Sequence, residues 1–188
     1  GLAWQMRTGG PKSPSLPIED LAIVHGIARV SWPGRLETIE GKGAWAGRWL
    51  LDGAHNEEGA RALAAEIRRH PVPRESRALV FGAMGDKAWG TMARELAPHF
   101  ATRVYVEPRL GGPPRPTAPP AALLAVDPRG VGSSSLEEGL RLARASVGPQ
   151  GLVVVSGSLY LVGDVRARIL GDRLDGAPLV GRVALDRG

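Results

Sequence analysis

Residues 50–63 read LLDGAHNEEGARAL. Two leucines run directly into Asp52, Gly53, Ala54, His55 and Asn56, and an Ala/Leu pattern at helical spacing then begins. An apolar strand therefore ends where a helix starts, with an acid, an imidazole and an amide at the junction. Junctions of this kind hold ligands in open α/β sheets. They are also where a plain strand exit needs a helix cap.

Working outward, the same alternation recurs. LETIE (36–40) and RWLLDGA (48–54) predict strands joined by the glycine loop GKGAWAG. Ala60, Leu63, Ala64 and Ile67 fall on one face of a helix over 57–69. RALVFGA (77–83) predicts the next strand and 88–97 a helix with Trp89, Met92, Ala93 and Leu96 inward. TRVYVE (102–107) is extended, and a turn-rich GGPPRPTAPP leads to a short helix over 120–125. Residues 133–147 predict a serine-capped helix, with Leu136, Leu140, Ala143 and Val147 on one stripe. LVVVSGS (152–158) is apolar throughout, as a central parallel strand is. A helix from Leu159 to Leu170 follows. Four rounds of strand and helix predict an α/β fold: a three-layer, mostly parallel sheet with helices on both faces and one antiparallel edge strand contributed by LETIE. Toward the ends, residues 1–17 read as a linker, 18–28 as a helix and 171–188 as a tail without period.

Composition narrows the function. No apolar run approaches the ~20 residues of a membrane-spanning helix, so no membrane partner is expected. Cysteine is absent, which excludes a disulfide framework and thiolate metal sites and fits a cytoplasmic protein. The net charge of +5 comes almost entirely from arginine; Lys12, Lys42 and Lys87 are the only lysines. The arginines are spread along the chain, whereas a nucleic-acid surface clusters them with aromatics, so no nucleic-acid partner is expected.

In a parallel sheet all strand carboxyl ends meet one edge. That edge should carry Asp52–His55–Asn56, then Gly82–Met84–Asp86–Lys87, then Ser156–Gly157–Ser158. Read as caps alone, Asn56, Asp86 and Ser158 begin the helices that follow; Asp52, His55 and Lys87 are left over. A carboxylate at the end of an apolar strand needs a partner, such as a ribose hydroxyl or an arginine. His55 can donate to a carboxylate or be a satisfied core histidine. No G-x-x-x-x-G-K-[ST] loop and no G-x-G-x-x-G is present, and no metal ligands stand at usable spacing. Glu57 and Glu58 in the first turn would repel a phosphate at that helix start, so a triphosphate has to be gripped elsewhere.

Trp32-Pro33-Gly34-Arg35-Leu36-Glu37, Leu51-Asp52-Gly53-Ala54-His55-Asn56, Phe81-Gly82 with Asp86-Lys87, and Ser156-Gly157-Ser158-Leu159-Tyr160-Leu161-Val162-Gly163 occur in this order. Together they resemble the carboxy-terminal domain of the folylpolyglutamate synthase/dihydrofolate synthase family, ATP-dependent amide ligases of Mur type, over roughly residues 18–170. The resemblance implies a Rossmann-like domain that works beside an amino-terminal domain carrying the P-loop and the Mg2+ ligands. It implies ATP contacts at Arg35 and Asp52, glutamate contacts at His55 and Ser158, and a less defined, possible catalytic role on the same rim for Lys87. The resemblance further implies a reaction in which ATP phosphorylates the carboxylate of a folate or dihydropteroate and glutamate attacks the acyl phosphate. Glu57 and Ala88 depart from the family pattern, which often has proline after AHN and aspartate after the lysine. Without the P-loop half, the chain is expected to be a fragment that binds no cofactor by itself and neither hydrolyses ATP nor ligates glutamate. On the resemblance, replacing Arg35 or Asp52 should lower activity with little change in melting temperature.

Overall fold

The computed structural model describes residues 32–109 and 115–171. Six strands form one sheet: β1 (Glu37–Gly41), β2 (Gly47–Asp52), β3 (Arg77–Phe81), β4 (Thr102–Tyr105), β5 (Val131–Gly132) and β6 (Leu152–Ser156), in the order β1-β2-β6-β3-β4-β5. Only the β1–β2 pair is antiparallel. The predicted edge strand is thus present, and the sheet is otherwise parallel.

Two apolar layers flank the sheet. On one face α1 (Glu57–Arg69), α2 (Trp89–Leu96) and α3 (Pro120–Val126) pack Leu63, Ile67, Met92, Leu96 and Leu123 against Leu50, Leu79, Phe81 and Val154. On the other, α4 (Leu136–Ser146) and α5 (Leu159–Leu170) pack Leu140, Ala143, Val162 and Val165 against Trp49, Leu51, Val80 and Val155. Alternate residues of β2 and β6 enter opposite layers, because strand side chains have a period of two. Both faces are covered, so these central strands read as unbroken apolar runs.

The helices over 57–69 and 159–170 have the expected bounds, whereas β2, β3, β4 and β6 are shorter than the runs that announced them. β2 stops at Asp52, β3 at Phe81 and β6 at Ser156, because the small residues that follow leave the ladder to form the loops of the rim. β5 had no periodic signal: it is two exposed residues added beside β4. Of the expected caps, Asn56 Oδ1 accepts from Gly59 N–H (2.8 Å), Ser135 Oγ from Glu138 N–H (3.2 Å) and Ser158 Oγ from Tyr160 N–H (3.2 Å). Asp86 caps nothing. Lys87 N–H turns back onto Met84 O (3.2 Å), the helix begins only at Trp89, and the cap position falls to Ala88. The expected linker 1–17, the helix 18–28 and the tail beyond Gly171 lie outside the described residues.

Candidate functional site

The parallel register aligns Asp52, Ser156, Phe81 and Tyr105 in one row at the carboxyl edge of β2, β6, β3 and β4. β1 runs the other way, with Glu37 opposite Leu51, so the residues that enter β1 reach the same edge. Arg35, Asp52, His55, Lys87 and Ser158 therefore all stand on a single rim, Asp52 as the last residue of β2 and the others on the segments that enter or leave the strands. Gly157 N–H donates to Ala54 O (3.1 Å) and Gly82 N–H to Ser156 O (3.3 Å), which stitches the three strand exits together. Gly157 has φ +106°, and a Cβ there would lie 2.7 Å from Gly82 O, so only glycine permits this approach.

Asp52 is 7% exposed, and both of its oxygens are engaged. Oδ1 accepts from Ala54 N–H (2.9 Å) and Oδ2 from Leu36 N–H (3.0 Å). The partner demanded by a buried carboxylate is thus the backbone of two loops. Gly53 N–H adds a bond to Gly34 O (2.7 Å). Gly34 has φ +74°, and a Cβ there would sit 2.9 Å from Val162 Cγ1. Leu36 has φ +46°, the only positive φ of a non-glycine residue among the described residues. Arg35 lies between them. It is exposed and makes no ion pair or side-chain hydrogen bond among the described residues.

His55 places Nδ1 2.8 Å from Gly53 O. A carbonyl can only accept, so Nδ1 carries the proton and Nε2 is left for a ligand. The ring joins Asn56, Glu57, Glu58, Arg61 and Lys87 around an open hollow of about 360 Å³. Lys87 Nζ pairs with Asp86 Oδ2 at 3.3 Å, and both groups remain well exposed. Ser158 is buried at the start of α5; its oxygen serves the cap, which leaves its O–H free to donate. Ser156 is also buried, and its Oγ has no partner among the described residues. No three His, Asp or Glu side chains among the described residues gather in a way that could hold a metal ion, and no helix there is long and apolar enough to cross a membrane.

Sequence reasoning missed Glu37 and Arg166. Glu37 Oε2 accepts from Gly34 N–H (2.8 Å), and Arg166 Nε on α5 donates to both Glu37 oxygens (3.0 and 3.1 Å). A separation of 129 residues in the chain hides this pair from any local pattern.

A mostly parallel sheet with one antiparallel edge, and a turn locked over a buried acid at its carboxyl rim, define a class. The chain belongs to the Mur ligase family: residues 34–159 match its glutamate ligase domain. That span begins at the Gly34 turn and ends just after Ser158, so it holds every rim residue described above. The chain is 30% identical over 164 residues to the dihydrofolate synthase/folylpolyglutamate synthase of Bacillus subtilis, an alignment covering 81% of this chain and 34% of that protein. The folylpolyglutamate synthase of Mycobacterium tuberculosis complexed with ADP superposes with a TM-score of 0.66 at 25% identity, covering 81% of this chain and 36% of that one. A bifunctional folylpolyglutamate synthase/dihydrofolate synthase with Mn, AMPPNP and L-glutamate bound gives a TM-score of 0.68 at 27% identity, with 83% and 36% covered. The chain spans about a third of the length of these relatives.

Proposed function

We propose that this chain is the carboxy-terminal domain of an ATP-dependent ligase that joins L-glutamate to a folate or dihydropteroate through an acyl phosphate. The observation that carries the reading is the rim itself: a guanidinium on a pinned turn, an imidazole with one free nitrogen and a hydroxyl with a free proton, all on one edge of a Mur-type domain. Arg35 stabilises phosphate charge on ATP, since guanidinium–phosphate bonds are charge-assisted. Asp52 shapes the same nucleotide contact by holding the backbone next to Arg35. His55 Nε2 and the Ser158 hydroxyl receive glutamate. Lys87 lines the same hollow as His55, and its ion pair with Asp86 has to open for it to meet a dicarboxylate. The relatives solved with ADP, and with AMPPNP and L-glutamate, support this assignment of ligands.

In this reading the pteroate or folate carboxylate attacks the γ-phosphorus of ATP and ADP leaves. The amine of glutamate then attacks the acyl carbon and inorganic phosphate departs as the amide forms. Phosphoryl transfer asks the protein chiefly for orientation and charge stabilisation, and the rim supplies one wall of both. The other wall is an amino-terminal P-loop domain, corresponding to the remaining length of the relatives, which also holds Mg2+. The exposed apolar side chains Leu36, Leu159 and Tyr160 stand beside the rim where that wall would close. Alone, the chain has no catalytic activity.

The test is glutamate-dependent phosphate release by the full-length ligase, with dihydropteroate and with a reduced folate as acceptors. Arg35→Ala should lower kcat/KM while the melting temperature stays put. No glutamate-dependent release with either acceptor would refute the reaction, and unchanged turnover in Arg35→Ala would refute the site.

A further inference from the structure

The turn that carries Arg35 is held more firmly than a surface turn requires. Gly34 and Leu36 flank it in the left-handed region, at φ +74° and +46°. A leucine persists there only where surrounding contacts over-determine the backbone. Asp52 supplies one such contact through Leu36 N–H. The next comes from Glu37, whose Oε2 accepts Gly34 N–H at 2.8 Å. Arg166 then clamps both Glu37 oxygens from α5, at 3.0 and 3.1 Å. The side chains of this pair are only 22% and 17% exposed, so water competes poorly for them. Backbone is thus fixed on both sides of a guanidinium that has no partner among the described residues. What is preorganised is the backbone that presents the cation, set during folding; the exposed side chain itself becomes ordered on binding.

We propose that Glu37 and Arg166 are positioning residues for Arg35. Their ion pair ties the Arg35 turn to the helix whose cap, Ser158, stands on the same rim, so the guanidinium meets a bound phosphate from a fixed backbone. The inference rests on the nucleotide contact proposed above for Arg35 and deepens it.

The experiment is a set of double-mutant cycles in the full-length ligase, with ATP as the varied substrate. Arg166→Met should lower kcat/KM for ATP about ten- to a hundredfold, the cost of misplacing a reacting partner by a fraction of an ångström to an ångström. In an Arg35→Ala background the same change should cost less than about twofold, because the two residues act as one unit. The KM for glutamate should not move. Arg166→Lys should recover part of the loss, since an ammonium still pairs with Glu37 but without the planar fork. Should Arg166→Met not fold, Glu37→Gln gives the same comparison: it keeps one oxygen for Gly34 N–H, loses the charge and turns an amide donor toward Arg166 Nε–H. Equal losses in both backgrounds, or no loss at all, overturn the positioning role alone. Full activity in Arg35→Ala by itself overturns the Arg35 contact, and the positioning role with it.

Discussion

Replacing Asp52 by alanine separates two roles that the motifs leave joined. The side chain is 7% exposed and its oxygens accept Ala54 N–H at 2.9 Å and Leu36 N–H at 3.0 Å. Alanine leaves both amides without that partner, and an unsatisfied buried donor costs about 1–3 kcal/mol. The Ala54 amide is in buried surroundings and belongs at the upper end. The Leu36 amide is on a partly exposed turn, where water can replace the acid, and belongs at the lower end. Two gains offset part of the loss. A charge is no longer buried, and Leu36 can relax from φ +46°, a conformation that costs about 1–3 kcal/mol when held. The net is a destabilisation of about 1–3 kcal/mol, or a melting temperature lower by roughly 2–12 °C for a chain of this size. Asp52→Asn keeps one acceptor but turns an amide donor toward the other N–H, so its loss should be about half. Arg35→Ala, which removes an exposed side chain with no ion pair or side-chain hydrogen bond among the described residues, is the control and should melt with the wild type. The assay is thermal and urea unfolding of the 188-residue chain by circular dichroism. If Asp52→Ala melts together with Arg35→Ala, the carboxylate does not hold the turn and the reasoning fails. The expectation drawn from the resemblance, little change in melting for either residue, therefore stands for Arg35 and is replaced for Asp52.

Asp127 anchors a second buried network: Arg103 donates to both of its oxygens (3.0 and 3.2 Å) and Tyr105 Oη–H to one (2.7 Å). Asp127→Ala strands the Arg103 charge and should cost about 3–5 kcal/mol, read as a lower urea midpoint. Burial alone would raise the Asp127 pKa, but the hydrogen bonds from Arg103 and Tyr105 outweigh it and hold the carboxyl below the usual carboxylate range. This contribution is full above the ordinary carboxylate pKa and lost as pH falls through the lower folded value. His70 and His99 are also pushed down, by burial first and then by neighbouring arginines, Arg77 for His70 and Arg68 for His99. Below the ordinary value of 6.5 the unfolded chain binds protons that the folded chain refuses, so stability should fall as pH drops from there toward the lower folded values. A His70→Gln, His99→Gln double variant should flatten the urea midpoint between those limits; an unchanged slope would contradict the assignment.

The architecture was legible because both faces of the sheet are covered: β3 and β6 show as apolar runs, and the helices between them show a single apolar stripe each. Glycine and serine at three strand exits marked the rim. What stayed hidden is what long-range backbone contacts decide. Asp52 reads as a charge awaiting a ligand until Leu36, sixteen residues away, delivers its N–H. Asp86 reads as a cap until the turn onto Met84 O uses up the residues before Trp89. β5 has two exposed residues and no pattern to read. Glu37 looks like an exposed strand-edge acid, and only α5 folded back onto β1 brings Arg166 to it.

WPGRLE and LLDGAHN are therefore halves of one structure. The β1–β2 register pairs Glu37 with Leu51, which brings Leu36 level with Asp52 and lets Gly53 N–H meet Gly34 O. A slip of one residue would move Leu36 away from the acid and would turn Ile39, 8% exposed in the α4–α5 layer, toward the opposite face. Two features resist that slip. Ile39 is paired with the fully buried Trp49, which enters the same layer. Trp49 Nε1–H also donates to Trp45 O (2.9 Å), which secures the loop that joins the strands. The backbone position from which Arg35 reaches the rim thus depends on an indole in the middle of the hairpin, through a register that has no intermediate setting.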